Sequence, residues 1–503
     1  MRDYGFGNFL HELRVRRGFS QFQLGMLVGV SDKAVSKWEN GLAKPQSGIL
    51  YKLSEALGIT IDELLACNCR AGENENEKMA LAAEKALWKR AGEALRELYG
   101  NVPPVEAADR YYSEYAELKG TGHFVFFGLL GRMAKRIRQG GGHMRVNGGI
   151  GASFVAFLMG ATEVNPLRPH YYCPRCRKIS FVEGCACGWD LPARKCACGW
   201  DLPAKKCACG GDLQRDGHDI PFETLRPLIC KPPHYAVSVP GDLCGAAREE
   251  IYSFFQGSRI VTLAKKDPGI RTYVIIEEEA PGKAEGRELL YSYEEDYDRF
   301  KQYPAITLIQ DGELEAWGRL ERETGVLFEN VPFTDERVLN AFRGGDTRGI
   351  PEFGSDFARA VMEQSPPACI RDLIQIPGLC HGTGVWRGNG EELAKAGLPL
   401  GSLTAYRDDV FCCIQERMPP GSGSGLAYHV MEEVRRGAYA RHGMPADIRQ
   451  QLLGLGVEER LIEAFGQIGY LFPRAHGITH VRHAMILMWY KVNFSEAFGK
   501  VRR

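Results

Sequence analysis

The sequence predicts an α+β multidomain protein. An N-terminal all-α domain of five short helices leads into a mixed α/β part with a cysteine-rich insert, then a mostly helical C-terminal part. Three observations predict it. The length of 503 residues allows roughly three domains of ~100–200 residues. The first 66 residues break into short amphipathic segments punctuated by Ser and Gly. Further on, a glycine-rich stretch, Gly148–Thr162, runs into cysteine pairs and three near-copies of an eleven-residue unit. The boundaries fall at 1–66, at 67–104 for a connector, at 105–345 with the insert at 170–217, and at 346–503.

Composition limits the class. A hydrophobic content of 44% is enough for a real core, and Lys+Arg and Asp+Glu both count 63, so net charge points to no partner. The local distribution is more telling. Leu118–Thr162 has no carboxylate but carries Lys119, Arg132, Lys135, Arg136, Arg138 and Arg145, whereas Glu277–Asp298 is acidic. Such asymmetry marks a polyanion-binding face or simply a solvated basic helix face. No charged-then-apolar leader follows Met1, and the apolar run Ile150–Ala161 is too short and glycine-rich to span a bilayer. The expectation is a cytoplasmic protein with no membrane partner. In that setting sixteen cysteines with C-x-C and C-x-x-C spacings point to metal rather than disulfides.

In the first domain Asn8–Arg17 is amphipathic and ends at Gly18. Ser20 with Gln23 has capping-box spacing, and Gln21–Val28 ends at Gly29. Ser31 caps a third helix to Glu39, and Asn40-Gly41 turns the chain. Leu13, Leu24, Val30, Val35, Trp38, Leu50, Leu53, Leu57 and Ile59 supply the inward faces. Helix, short Gly-containing turn and helix is the helix-turn-helix arrangement. Leu13–Gly41, with I-D-E-L-L at Ile61–Leu65, resembles the Cro/repressor (XRE) family. The resemblance implies that the helix from Ser31 to Trp38 enters the major groove of double-stranded DNA. Ser31, Asp32, Lys33, Ser36 and Lys37 then reach base edges, while Gln21, Asn40 and Lys44 hold phosphates.

Arg70–Lys78 is polar and reads as a hinge. Met79, Ala83, Leu87, Ala91, Leu95 and Leu98 then share one helix face until Gly100 and Pro103-Pro104. The face packs on the next domain or joins two copies into a homodimer.

From about Val105 the chain resembles the palm and fingers of the PolC-type DNA polymerase III alpha subunit. The segments carrying the resemblance are Gly148–Thr162, Gly217–Thr224 (G-H-D-I-P-F-E-T), Gly349–Phe357, Ile374–Trp386, Tyr406–Val410 and Tyr470–His476. In that family a G-S-R-G-S loop holds the nucleotide's phosphates. Here Arg145, Val146, Asn147, Gly148 and Gly149 stand there, with Arg145 as the available cation. Cys173 and Cys176 have zinc-knuckle spacing; by distance to G-H-D-I-P-F-E-T the family's second cysteine pair matches Cys207 and Cys209, so the resemblance implies a structural Zn held by these four. The pairs Cys185/Cys187 and Cys196/Cys198 compete as ligands, form a second site or hang in an extended loop; a loop without metal is the remaining alternative.

The family's catalytic aspartates sit in P-D-I-D-L-N-F-S-G and L-D-I-L-G, where they hold Mg. The matching segments are Pro233–Gly241 (P-H-Y-A-V-S-V-P-G) and Ile306–Gln310, which put His234, Ala236 and Thr307 at the three positions. Magnesium is a hard cation that wants charged oxygens, so Mg is not expected to bind. The resemblance also implicates Arg474 and His476 of F-P-R-A-H at the nucleotide; the plainer reading is a helix start with His476 satisfied locally. The expected protein is a sequence-specific DNA-binding regulator carrying a catalytically inactive, truncated PolC-like module, which binds DNA, nucleotide or a replication protein. Two alternatives stay open. One is a DNA-directed polymerase with a new metal site from Glu223, Asp242, Asp298 and Asp311; the other is a decayed gene fusion.

Overall fold

Two serines start the first pair of helices. The Ser20 hydroxyl accepts from the Gln23 amide at 3.1 Å while the Gln23 side chain accepts from the Ser20 amide at 2.7 Å, closing a capping box on α1 (Gln21–Val28). Gly29 ends α1 with φ 78°, a conformation that favours glycine. Ser31 caps α2 (Asp32–Glu39) through the Ala34 amide at 3.2 Å, and α3 (Ser47–Leu57) follows. The computed structural model describes residues 7, 10–11, 13–15, 17, 19–40, 42–43, 45, 47–57, 75–191, 213–276 and 289–502. Ile59 and Ile61–Leu65, and with them the expected fifth helix, lie outside these residues.

The chain divides into two compact units: Met1–Glu93 with Val102–Glu117, and Ala94–Asn101 with Leu118–Arg503. In the first, Leu10, Leu13, Leu24, Val28, Val35, Trp38, Leu50, Leu53 and Leu57 form one core, with Val30 packed at its edge. Beneath it Glu39 is buried and accepts from Arg14 Nε at 2.5 Å, Gln21 Nε2 at 2.8 Å and the His11 ring at 3.1 Å. Burial alone would raise the Glu39 carboxyl; these bonds outweigh it and hold the group below its ordinary value. The connector is a single helix, α4 (Glu75–Tyr99), followed by α5 (Val105–Leu118). Trp88 of α4 stacks on Tyr111 of α5 with centroids 3.9 Å apart, and the Tyr111 hydroxyl donates to the Trp88 carbonyl at 3.0 Å. Trp88, a residue outside the face read from the spacing, is thereby covered by its own chain.

The second unit is built on a six-stranded sheet. Its strands are β1 (Arg145–Val146), β5 (His234–Val239), β6 (Arg259–Ala264), β7 (Ile270–Ile276), β8 (Leu289–Ser292) and β9 (Ala305–Gln310), in the order β1-β5-β9-β7-β6-β8. The pair β5–β9 is parallel, with Ala236 opposite Thr307. Alternation sends Tyr235, Val237, Ile306 and Leu308 to the core side. There α6 (His123–Gln139) covers Tyr235: Phe126 and Phe127 pack on its ring and His123 Nδ1 lies 2.6 Å from its hydroxyl. His234, Ala236, Ser238 and Thr307 share the opposite face. A three-stranded sheet of β2 (His170–Tyr172), β3 (Ile179–Phe181) and β4 (Gln214–Asp216), ordered β3-β2-β4, carries the insert. After β9 the unit is helical. Its principal helices are α7 (Gly312–Thr324), α8 (Ile370–His381), α9 (Arg407–Gln415) and the long α10 (Arg474–Asn493). Among the described residues no helix is long and apolar enough to cross a membrane.

Candidate nucleic-acid interface and the polar face of the sheet

On α2 the inward and outward faces separate as the spacing predicts. Val35 and Trp38 are buried; Ser31, Asp32, Lys33, Lys37 and Asn40 are exposed, and Ser36 is half-buried. Two expected phosphate contacts are engaged within the domain. Gln21 donates its amide to Glu39 at 2.8 Å, and Asn40 donates to the Ser36 carbonyl at 2.8 Å. Lys44 lies outside the described residues.

On the sheet, the three positions matched to metal-binding aspartates come together. Thr307 Oγ1 lies 2.9 Å from His234 Nε2 and 2.8 Å from Thr272 Oγ1, with Ala236 beside Thr307 in register. Thr307 and Thr272 are buried. Burial, and next the nearby Lys265, depress the His234 imidazole, which favours its neutral form. A neutral hydrogen-bonded chain therefore stands where a dication would need carboxylates, and the residues present do not fit Mg.

The alternative carboxylates do not assemble either. Asp311 caps α7 through the Glu313 amide at 3.0 Å and pairs with Arg145 at 2.5 Å. The Asp298 side chain is 87% exposed and pairs with Lys301 at 2.9 Å, which leaves it on the surface. Among the described residues, which include Glu223 and Asp242, no group of three or more His, Cys, Asp or Glu is placed to hold a metal ion.

The glycine turn is likewise engaged. Its cation Arg145 is held by Asp311, the Asn147 side chain donates to Ser238 Oγ at 3.2 Å, and the Gly148 amide donates to His476 Nδ1 at 3.3 Å. Four of the six cations in the carboxylate-free run meet acids from elsewhere: Arg132 with Glu250, Arg136 with Glu249, Arg138 with Glu329 and Glu163, and Arg145 with Asp311. The run is thus no unopposed basic face. Apart from Glu163, the acids lie far along the chain, where sequence could not show them.

Arg474, implicated at the nucleotide by the resemblance, is engaged within the protein. It is buried, and its guanidinium donates to Asp409 at 2.7 Å. Asp409 Oδ1 also accepts from Arg371 at 3.1 Å; Oδ2 accepts from Gln375 at 3.2 Å and from the amides of Ala405 and Tyr406 at 3.0 and 2.9 Å. Burial opposes the charge on Asp409, but the two guanidinium groups and the amides hold the carboxyl below its ordinary range. The Y-R-D-D-V segment is thereby a clamp on F-P-R-A-H, reinforced by the Arg407 amide donating to the Phe472 carbonyl at 3.0 Å.

His476 does face a cavity, of about 280 Å³, lined among others by Glu352, His381, Tyr406, Phe472 and His480. Glu352 joins His381 at 2.7 Å and His480 at 2.9 Å. Sequence reading missed this cluster, although the four-residue spacing of His476 and His480 on one helix face was visible.

Three imidazoles of this unit, His218, His476 and His483, are pulled down to about 3, in each case chiefly by burial. A histidine depressed in the folded state contributes stability that is complete above its unfolded value of 6.5 and is lost as pH falls toward the folded value. Melting of this unit should therefore weaken between pH 6.5 and 4.5, before most carboxylates titrate, by about 1 kcal/mol per pH unit for each histidine. His476→Gln should flatten the slope by the share of one histidine, about 1 kcal/mol per pH unit, in melts taken from pH 7.5 to 5; an unchanged slope contradicts the assignment.

In the insert, Cys173-P-R-Cys176 forms the turn between β2 and β3. The Cys176 amide points at Cys173 Sγ at 3.5 Å and Arg177 follows with φ 60°, a knuckle that fits half of a zinc site. Cys207 and Cys209 lie outside the described residues. Cys187 turns away into the core, its Sγ 3.7 Å from His218 Nδ1.

Comparison with known proteins agrees with both halves. Residues 10–64 match the family described as helix-turn-helix, and residues 311–398 match the bacterial DNA polymerase III alpha subunit finger domain. The finger match thus straddles the 345/346 boundary drawn from sequence. The chain is 29% identical over 487 residues to DNA polymerase III PolC-type of Pediococcus pentosaceus, covering 82% of this chain and 32% of that protein. It is 28% identical over 486 residues to the Lactococcus lactis protein of that name, covering 82% and 29%. With that of Caldanaerobacter subterraneus subsp. tengcongensis it shares 26% over 488 residues, covering 83% and 34%. The chain spans about a third of the length of these curated relatives. It joins an XRE-type helix-turn-helix domain to a region homologous to PolC-type polymerases.

Proposed function

We propose that this protein is a sequence-specific DNA-binding protein, a transcription regulator, whose PolC-like module does not transfer nucleotides. The observation that carries the reading is the neutral chain His234–Thr307–Thr272 at the positions matched to metal-binding aspartates. Homology over most of the chain favours the competing reading of an active polymerase, and that reading needs an acidic cluster elsewhere. In our reading α2 enters the major groove of double-stranded DNA as part of a homodimer on two half-sites. Cys173, Cys176, Cys207 and Cys209 hold a structural Zn, Mg has no resident site, and the protein works in the cytoplasm. The PolC-like module serves as a docking part for DNA, nucleotide or a replication protein.

Selection from a pool of genomic fragments should enrich a defined operator. Lys33→Ala with Lys37→Ala should weaken its binding by about 30-fold or more, since each base contact is worth about 1–3 kcal/mol. A pool that enriches nothing, or a double variant that binds like the parent, contradicts the proposal.

A further inference from the structure

We propose that the socket holding Gly188–Leu191 is a binding site for the peptide Gly-Trp-Asp-Leu, and that the second repeat, Gly199–Leu202, exchanges into it. The socket makes four demands. Gly188 donates its amide to the Gly217 carbonyl at 2.6 Å, and a Cβ there would stand 1.9 Å from the Asp216 carbonyl oxygen, so only glycine fits. Trp189 is buried edge-on between His218, at 4.3 Å, and Phe333, at 5.1 Å. The Asp190 carboxylate accepts from the Ile370 and Arg371 amides at 2.6 and 2.8 Å, which satisfies the open N-terminus of α8. Leu191 is buried, and its carbonyl accepts from Arg215 at 2.8 Å.

Every demand is met by the residue types Gly-Trp-Asp-Leu, with a cysteine before them against His218. Residues 196–206 repeat residues 185–195 with Lys205 for Arg194 as the one difference, so the second copy brings the same groups in the same order. The third copy has Gly211 in place of the tryptophan and leaves the ring slot empty. Reach is no obstacle. With the second copy seated, residues 203–213 return to β4, which is itself the socket's wall, and eleven residues span up to ~35 Å. Loop-closure entropy for the two connections differs between the arrangements by a factor of about two. Nothing else separates copies with equal contacts, so both should be populated. The exchange alternates which pair, Cys185/Cys187 or Cys196/Cys198, is drawn into the core.

Hydroxyl-radical footprinting of the full-length protein tests this, because trypsin cuts at Arg194 and Lys195 and places Trp189 and Trp200 on separate peptides. Expected is partial protection of both rings, within about two- to threefold of each other. In Trp189→Ala, Trp200 becomes protected and the melting temperature stays near the parent's; Trp189→Ala with Trp200→Ala melts well below it. Full protection of Trp189 beside free labelling of Trp200 overturns the proposal, as does a single Trp189→Ala variant as unstable as the double one.

Discussion

Asp409→Ala is expected to destabilise the second unit by about 3–5 kcal/mol in chemical denaturation, the cost of leaving buried charges without their partner. The Asp409 side chain is 9% exposed and gathers five donors: the guanidinium groups of Arg371 and Arg474, the Gln375 amide, and the backbone amides of Ala405 and Tyr406. Truncation removes the carboxylate shared by Arg371 and Arg474 and leaves Asp408, whose Oδ2 accepts from the Arg474 amide at 2.7 Å, as the remaining acidic neighbour of Arg474. Asp409→Asn keeps the shape and some acceptors and should fall between parent and Ala. The effect separates the two roles open to Arg474. If the arginine is a structural clamp, Asp409→Ala lowers stability steeply. If it is a free cation kept for a ligand, the variant loses less than about 1 kcal/mol, as for an exposed pair.

The second large effect is a gain. His234→Asp, Ala236→Asp and Thr307→Asp together place three carboxylates on one face of adjacent strands, because Ala236 stands opposite Thr307 and His234 already bonds to it. Without metal the triple variant should melt below the parent, since three like charges share a partly buried site. Added Mn should restore stability by about 2.7 kcal/mol at a hundred times the dissociation constant. The parent should show no Mn-dependent shift. A shift in the parent would mean that a metal site exists elsewhere, and no shift in the triple variant would mean that the register does not converge as described.

What could be read from the sequence was local or repeated. Ser20, Gln23, Gly29 and Ser31 announce their caps through a spacing of a few residues, and the structure builds them that way. The core side of α2 follows from Val35 and Trp38 by helical period alone. The match of His234, Ala236 and Thr307 to one site came from resemblance, and the parallel register explains it, since residues distant in the chain become neighbours across β5 and β9. Illegible features depend on partners far along the chain. Arg132, Arg136, Arg138 and Arg145 look like a basic patch until Glu250, Glu249, Glu329 and Asp311 fold against them. Arg474 looks available until Asp409 is packed beneath it. Asp190, one residue in a repeat, gives no sign that it caps a helix beginning at Ile370.

The most direct test of the central claim is primer extension by the purified protein with Mg or Mn and all four deoxynucleotides, alongside binding to the same primer–template. The account predicts no extension under either metal, whether or not the primer–template is bound. Extension that disappears in Asp311→Ala or Asp298→Ala would contradict it, because a rebuilt metal site would then be at work in the palm.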